Sequence, residues 1–211
     1  MSKVVSEEKL YNIDGAKIGL LGGTFDPPHY AHLHMAQAAK DALELDFVVF
    51  MPLGVPPHAK DGITEAAHRV AMLELMLANY DDFFIDGYET QSDEPSYTVR
   101  SVERINSLLG IGARLYFIIG ADSLLYLEKW RDAGRLFRIT EFAVIPRHGY
   151  GDEDCKSHIK MLKREFGARI KYLDAEKMDY SSTDIRNSIK KGENETSPEV
   201  MKYIKENGLY G

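Results

Sequence analysis

The sequence predicts an α/β fold, a single domain built on an open parallel sheet with helices on both faces. Short β-rich runs alternate with amphipathic stretches along the chain, the order expected of strands joined by crossover helices. Runs such as "VVF", "YFII" and "FAVI" are apolar at consecutive positions, as strands are when helices cover both faces of a sheet. Such sheets bind ligands at the carboxyl ends of their strands, so the loops there are the first places to search for a site.

The alternation predicts strands and helices along the whole chain. We expect strands at residues 17–22, 47–52, 83–86, 114–120, 141–146 and 169–174. We expect helices at about residues 30–44, 65–79, 97–109, 121–137, 153–166, 182–191 and 197–206. Because the turn signal "DG" stands just before the first strand, we predict an N-terminal extension over residues 1–16 and one domain over 17–211.

Composition and charge narrow the function classes. With 211 residues, of which 44% are hydrophobic, the chain is long enough to bury one good core. Its net charge of −7 argues against nucleic-acid or anionic-membrane binding, because both rely on a basic surface. No apolar run approaches the ~18 residues of a membrane span. The one cysteine, Cys155, fits a reducing cytoplasm and reads as a bystander thiol; the oligomeric state stays open, with a homodimer among the options.

The stretch "GGTFDPPHYAHL" at residues 22–33 has the makings of a phosphate site without a lysine. Gly22 and Gly23 let the backbone turn sharply at the end of the first strand and lie close to a ligand. The amides of Gly23, Thr24 and Phe25 are expected to point toward one anion. Two prolines delay the helix to about residue 30, and its N-terminus adds unpaired N–H groups and a positive dipole end.

Helical periodicity separates the three histidines at residues 29–34. His32 lies on the stripe that is expected to pack on the sheet, together with Ala36, Ala39 and Leu43. His29 precedes it by one turn, so both imidazoles are expected to address one point, whereas His34 is ~200° around the helix and is expected to face solvent. Two alternatives stay open: a structural role for both rings, and a metal site of the H-x-x-H kind, for which no third ligand is evident nearby.

A second candidate anion site is the stretch "YSSTDIRNSIKKG" at residues 180–192. A serine here is a good N-cap, and an ordinary cap explains the hydroxyls. It does not explain Arg186, because a cation in the first helical turn opposes the helix dipole. The conflict disappears if Arg186 and the amides of Ser182 and Thr183 share an anion, which arginine grips in a bidentate way.

These two stretches resemble known signatures in the same order. "GGTFDPPHYAHL" is similar to the GGTFDPxHxGH signature of the nucleotidyltransferase superfamily, and "SSTDIR" is similar to its SSTxIR signature. From Lys17 to Tyr210 the chain resembles the bacterial nicotinate mononucleotide adenylyltransferases, through "FMPLGVPPHAK", "PSYTVRSVERI", "FIIGADSL", "KW" and "YIKENGLY". The resemblance implies a Rossmann-like sheet and adenylyl transfer from ATP to nicotinate mononucleotide, giving deamido-NAD and pyrophosphate. It also implies in-line attack without a covalent enzyme intermediate, and Mg²⁺ held by phosphates and water rather than by the protein.

The resemblance also implies roles for individual residues. The catalytic set would be His29, His32 and Arg186. The residues that bind ATP and its phosphates would be Gly22, Gly23, Thr24, Phe25, Gly120, Asp122, Ser182 and Thr183. The nicotinate end would be bound by Thr98, Trp130 and Lys60. Two alternatives are open, since Asp122 also suits a helix cap and Trp130 a buried anchor, and Arg147 is a further candidate at the ATP end.

The chain departs from the family pattern at Ala31, Leu53, Ala59 and Arg100, which bears on substrate contacts more than on chemistry. Rival readings are adenylyl transfer to nicotinamide mononucleotide or to another phosphorylated acceptor such as phosphopantetheine. A non-catalytic nucleotide sensor and a metal-dependent hydrolase are rivals from other classes.

Overall fold

A six-stranded parallel sheet in the order β3-β2-β1-β4-β5-β6 forms the centre of the computed structural model, which describes residues 3–4, 7–55, 62–177, 185–186 and 196–211. The strands are β1 (Lys17–Gly23), β2 (Phe47–Pro52), β3 (Phe83–Ile85), β4 (Arg114–Gly120), β5 (Glu141–Ile145) and β6 (Arg169–Tyr172). All six predicted strands are confirmed, as is the open parallel arrangement. The strand order reverses beside β1, which creates a crevice at the carboxyl ends of β1 and β4.

Helices cover both faces of the sheet. They are α1 (Glu7–Tyr11), α2 (Tyr30–Leu43), α3 (Ala66–Leu77), α4 (Thr98–Leu108), α5 (Ala121–Leu124), α6 (Ala133–Ile139), α7 (Asp152–Phe166) and α8 (Pro198–Glu206). Of the predicted helix at 182–191, only residues 185–186 are described, and both are helical. Within the described part of the chain, no helix is long and apolar enough to cross a membrane.

Alternation along the strands divides the core into two layers. Leu20 of β1 aligns with Val49 of β2 and Phe117 of β4, and these three side chains pack in one cluster with residues of α4, α6 and α7. The next residue, Leu21, points to the opposite cluster, which contains residues of α2, α3 and α8. Each fully buried aliphatic side chain contributes about 2 kcal/mol, so neither layer is dispensable.

The predicted helix over residues 121–137 is wrong in its continuity. The segment contains α5, a 3₁₀ turn at Leu127–Lys129, and α6. Trp130 is extended (φ −66°, ψ 152°) and turns its ring edge-on to Phe117, with the ring centroids 6.1 Å apart. Asp132 then adopts a left-handed conformation (φ 53°), which aspartate tolerates better than most residues. The helical pattern of the sequence is therefore interrupted where Trp130 packs against the sheet.

The segment before β1 packs on the core. Leu10 and Tyr11 of α1 are buried, and the Tyr11 hydroxyl donates to Asp86 Oδ2 at 2.8 Å. Val4 bridges Ile85 of the edge strand β3 in a parallel pairing. The division into an extension and a domain stays a prediction, but this segment contributes side chains to the first cluster.

Cys155 lies inside the core, on α7. Its side chain is buried, and burial raises the pKa of the thiol. The sequence predicts an unreactive thiol in a charged segment. The raised pKa agrees with an unreactive thiol, but the side chain also packs in the core, which the prediction did not include.

Candidate active site

A cleft of about 620 Å³ opens at the carboxyl ends of β1 and β4, at the reversal of strand order. Seven of the predicted site residues line it: Gly22, Gly23, His32, Thr98, Gly120, Asp122 and Trp130. Arg147, the further candidate at the ATP end, lines it as well. Two groups of residues contribute to the lining: the glycine–histidine corner (residues 22–32), through Gly22, Gly23 and His32, and the aromatic wall (Tyr97, Thr98, Trp130 and Arg131).

The glycine–histidine corner bends at Phe25. This residue is fully buried with φ 51°, a left-handed conformation that a bulky side chain rarely adopts. Its ring meets the edge of the His32 ring, with centroids 4.8 Å apart. The Phe25 side chain therefore packs against the His32 imidazole. The role of the Phe25 amide in anion binding stays a prediction.

His29 and His32 lie against each other as the periodicity predicts. His29 is the N-cap of α2 and is 3% exposed, and its ring centroid is 3.7 Å from that of His32. The backbone N–H of His29 donates to Nδ1 of His32 at 3.2 Å. Since Nδ1 is an acceptor, the neutral His32 ring carries its proton on Nε2.

The environment of His32 favours the neutral ring. Burial, together with the neighbouring His29 and Arg147, holds the pKa of His32 well below its usual value. A proton added at Nδ1 would also oppose the His29 N–H that points at this atom. At neutral pH the ring is therefore a hydrogen-bond donor through Nε2 rather than a fixed positive charge.

The remaining histidine of α2 corrects one expectation. His34 is half-buried, and its Nε2 lies 2.8 Å from the carbonyl oxygen of Glu176. The expectation that it faces solvent is wrong, because the segment after β6 passes over this side of the helix. His34 nevertheless stays apart from the pair formed by His29 and His32.

Arg69, which the sequence analysis missed, ties the corner to two other segments. It is 1% exposed, and its guanidinium donates to backbone carbonyls of Thr24 at 2.7 Å, Leu53 at 2.7 Å and Thr64 at 2.9 Å. Burial lowers its pKa, while the charge of Asp26 opposes this shift. The signal was present in the sequence, since a charged residue shares the apolar face of α3 with Met72, Leu73 and Met76.

Arg186 is the described member of the second candidate anion site. Its Nη1 donates to the carbonyl oxygen of Asp26 at 2.6 Å, which brings it to the back of the glycine–histidine corner. Ser182, Thr183 and Lys60 lie outside the described residues. The proximity of "SSTDIR" to "GGTFDPPH" in space is thus supported by Arg186 alone.

Gly120 and Asp122 stand at the end of β4. A Cβ at Gly120 would collide with Oδ1 of Asp122, so the glycine leaves room for this carboxylate. Asp122 Oδ2 pairs with Nη1 of Arg147 at 3.0 Å, and Gly120 rather than Asp122 is the N-cap of α5. Asp122 therefore does not cap α5, and the capping alternative for this residue is wrong.

The aromatic wall is the second group of lining residues. Trp130 is half-buried against Phe117, and Thr98 begins α4. The guanidinium of Arg131 lies over the Tyr97 ring, 5.4 Å from its centroid. The wall offers aromatic faces, a hydroxyl and a cation, which suits a flat ring that carries negative charge.

Glu89 lies beside this wall and was also missed. It is 4% exposed and lines the cleft, and Ser101 of α4 donates to its Oε1. Burial raises the pKa of this carboxyl, although hydrogen bonds from Ser101 and Ser96 partly oppose the shift. A Cβ at Gly54 would overlap the Glu89 carbonyl, so the loop after β2 packs directly on this residue.

Among the residues that the structure describes, no group of three or more His, Cys, Asp or Glu side chains could hold a metal ion. The carboxylates that line the cleft are Asp122, which pairs with Arg147, and Glu89, which accepts from Ser101.

The comparisons with known proteins agree with this architecture. The cytidylyltransferase-like family model matches residues 20–188. A probable nicotinate-nucleotide adenylyltransferase of Clostridium kluyveri is 39% identical over 201 residues, covering 92% of this chain and 98% of that protein. The chain belongs to the cytidylyltransferase-like family and, within it, to the nicotinate-nucleotide adenylyltransferases.

Further members of this adenylyltransferase family support the same placement. A probable nicotinate-nucleotide adenylyltransferase of Listeria monocytogenes is 39% identical over 196 residues, covering 92% of this chain and 97% of that protein. The fold matches the Plasmodium falciparum nicotinic acid mononucleotide adenylyltransferase complexed with NaAD. The TM-score is 0.77 at 20% identity, and the match covers 92% of this chain and 97% of that one.

The departures from the family pattern fall in different places. Ala31 is buried in the first turn of α2, and Leu53 lines the cleft. Arg100 is exposed, pairs with Glu94 at 2.8 Å and lies over the ring of the lining residue Tyr97, 5.6 Å from its centroid, but does not itself line the cleft. Ala59 lies outside the described residues. Leu53 is thus the departure that bears directly on substrate contact.

Proposed function

We propose that this protein transfers the adenylyl group of ATP to nicotinate mononucleotide, giving deamido-NAD and pyrophosphate. The observation that carries the proposal is one cleft lined both by His32, whose ring packs on that of His29, and by the aromatic wall. A dinucleotide has these two requirements, since phosphates need donors and the nicotinate ring needs a flat apolar surface. The named activity of the family members supports the same reaction.

ATP would bind with its phosphates at the glycine–histidine corner. His32 Nε2–H would donate to the α-phosphate, and His29 would hold the His32 ring by its backbone N–H. Arg186, with the amides of Ser182 and Thr183, would hold the β- and γ-phosphates and the departing pyrophosphate. The amides of Gly23, Thr24 and Phe25 would donate hydrogen bonds to phosphate oxygens in the centre of the site.

The chemistry would need no general base. The phosphate of the acceptor is already ionised at pH 7, so it attacks the α-phosphorus in line while pyrophosphate leaves from the opposite side. Catalysis then rests on holding the two substrates in register and on placing donors where charge grows. A neutral His32 suits this role, because it donates a hydrogen bond without needing to gain or lose a proton.

The ribose of ATP would lie near Gly120 and Asp122, with Arg147 beside them. The nicotinate ring would stack on Trp130, and Thr98 at the start of α4 would donate to its carboxylate. A carboxylate requires donors, whereas a carboxamide requires a donor and an acceptor, so this end of the cleft selects between the two acceptors. Lys60 is proposed for the same end on the family pattern.

Mg²⁺ would arrive with the triphosphate. The donor set of the cleft fits this mode, because its two carboxylates are already engaged and Mg²⁺ prefers phosphate and water oxygens. When bound, the ion supplies charge neutralisation at the leaving phosphates. The cytoplasmic location and the absence of nucleic-acid partners stay predictions, as does the oligomeric state.

The test is to incubate the purified protein with ATP and Mg²⁺ and to offer nicotinate or nicotinamide mononucleotide separately. Pyrophosphate release and the dinucleotide product are measured, and the His32→Ala variant purified in parallel shows what a contaminating enzyme contributes. Strong preference for the nicotinate compound is expected. Equal or better use of the amide would overturn the acceptor while keeping adenylyl transfer. Bound ATP without either product would direct the search to another acceptor and then to a sensor.

A further inference from the structure

The carboxyl-terminal tail reaches back to the glycine–histidine corner. Tyr210 donates its hydroxyl to Oδ1 of Asp26 at 2.5 Å, across 184 positions of sequence. Burial and this hydrogen bond raise the pKa of the Tyr210 phenol, so the hydroxyl keeps its proton at neutral pH. The backbone of Tyr210 is left-handed, with φ 62°, and such a conformation persists in a non-glycine residue only where the surroundings impose it.

Asp26 is a junction between the tail and the proposed phosphate site. It is 3% exposed, its carbonyl oxygen accepts from Arg186 Nη1 at 2.6 Å, and its Oδ2 lies 3.4 Å from the Thr64 amide. Arg69 donates to the carbonyls of Thr24 and Thr64 on either side of this contact. The orientation of the Asp26 peptide therefore sets where Arg186 is held, and Tyr210 restrains the side chain of the same residue.

The tail makes a second contact with the same loop. Thr196, just before α8, donates from Oγ1 to the Pro28 carbonyl at 2.8 Å. The loop is thus gripped from both ends of α8, by Thr196 before the helix and by Tyr210 after it. Within the described residues, this arrangement joins the last sixteen positions of the chain to a loop that immediately precedes His29.

We propose that Tyr210 is a positioning residue for the ATP phosphates, acting through Asp26 on Arg186 and on the glycine–histidine corner. The inference rests on the proposed function, since it assumes that the corner binds ATP. Tyr210 touches no substrate in this account. Its hydroxyl fixes the loop conformation in which Arg186 and His32 face the same phosphates.

The test compares Tyr210→Phe with a matched control, Tyr203→Phe. Tyr203 lies on α8 and its hydroxyl is 2.9 Å from Nδ1 of His68, whereas the Tyr210 hydroxyl bonds to Asp26 and to Thr64, so both variants lose one hydrogen-bonded tyrosine hydroxyl and keep the ring. Tyr210→Phe should lower kcat/KM for ATP about tenfold and weaken binding of a non-hydrolysable ATP analogue, measured by calorimetry. The KM for the mononucleotide should stay within about twofold, and Tyr203→Phe should resemble the wild type in every parameter.

A double-mutant comparison tests the route through Asp26. In an Asp26→Ala background, Tyr210→Phe should cause a clearly smaller loss of ATP-analogue affinity than in the wild type, because Asp26 is gone and the hydrogen bond with Thr64 is the contact that remains. Additive losses, or equal effects of Tyr210→Phe and Tyr203→Phe, would overturn the inference. If Asp26→Ala does not fold, the comparison of the two tyrosine variants decides alone. A wild-type protein that binds no ATP would instead overturn the proposed function, and with it the role of Tyr210.

Discussion

The two parts of the cleft lining are built by different means. The glycine–histidine corner is held by guanidinium groups that donate to backbone carbonyls, chiefly those of the buried Arg69 and the half-buried Arg186. The aromatic wall is held by ring contacts and by cations over rings, and its members Tyr97, Thr98 and Trp130 are half-buried. Changes at the corner should therefore disturb fold and chemistry together, whereas changes at the wall should alter which acceptor binds.

This difference matches the demands of the proposed reaction. Charge grows at the phosphates during adenylyl transfer, so donors there must already be in place, and backbone groups fixed by a buried network meet that need. The aromatic wall would bind the nicotinate ring and its carboxylate, where no charge develops during the reaction, and half-buried side chains meet that need with less precision. Four predictions test the contrast, from the largest expected effect to the smallest.

Replacing Arg69 with methionine should have the largest effect. The variant removes a buried guanidinium that donates to the carbonyls of Thr24, Leu53 and Thr64, so the free energy of unfolding should fall by about 3 kcal/mol or more. Urea denaturation measures the change. Arg164→Met is the control, because this side chain is 75% exposed and its loss should stay within about 0.5 kcal/mol. Equal effects of the two variants would contradict a framework role for Arg69.

Replacing His32 with alanine should lower kcat/KM by about 100-fold, the usual cost of one donor to developing charge. Stopped assays of pyrophosphate release at saturating acceptor measure the loss. His34→Ala is the matched control on the same helix, because its ring bonds to the Glu176 carbonyl rather than facing the cleft. A similar loss in both variants would indicate that α2 itself, and not the His32 imidazole, is being disturbed.

Replacing Trp130 with leucine should raise the KM for the mononucleotide about tenfold, because a stacked ring contributes about 1–3 kcal/mol. The KM for ATP should change little, in contrast to variants at the corner. Tyr126→Leu provides the comparison, since this aromatic ring is 57% exposed and precedes the 3₁₀ turn. If both KM values rise together in Trp130→Leu, the tryptophan is a structural anchor and the wall is not the acceptor end.

The contrast also explains which parts could be predicted from the sequence. The strands could be predicted because runs such as "YFII" are apolar whichever face they present, and the His29 and His32 pair because three residues make one helical turn. The break after Leu124 could not, since it depends on Trp130 meeting Phe117, which lies on another element.

The framework of the corner was hidden for the same reason. Arg69 reaches Thr24 across 45 positions, and Tyr210 reaches Asp26 across 184. No local period encodes such contacts, although the arginine on an apolar helix face was a visible anomaly. Arg69, a charged residue on an otherwise apolar helix face, is therefore the sequence feature that indicates which side chain holds the loop. The glycine-rich stretch itself does not indicate this.

Replacing Glu89 with glutamine should have the smallest effect of the four, and its effect on stability should depend on pH. Burial raises the pKa of Glu89, so between about pH 4.5 and this raised value the folded protein holds a proton that the unfolded chain has lost. The stability of the wild type should therefore fall as pH rises through this window, by up to about 1.4 kcal/mol per pH unit, relative to Glu89→Gln. Urea midpoints of both proteins at pH 5 and pH 8 measure the difference. A constant difference at the two pH values would mean that Glu89 ionises in the fold as it does in the unfolded chain, and that its carboxylate beside the aromatic wall carries a charge the nicotinate carboxylate must oppose.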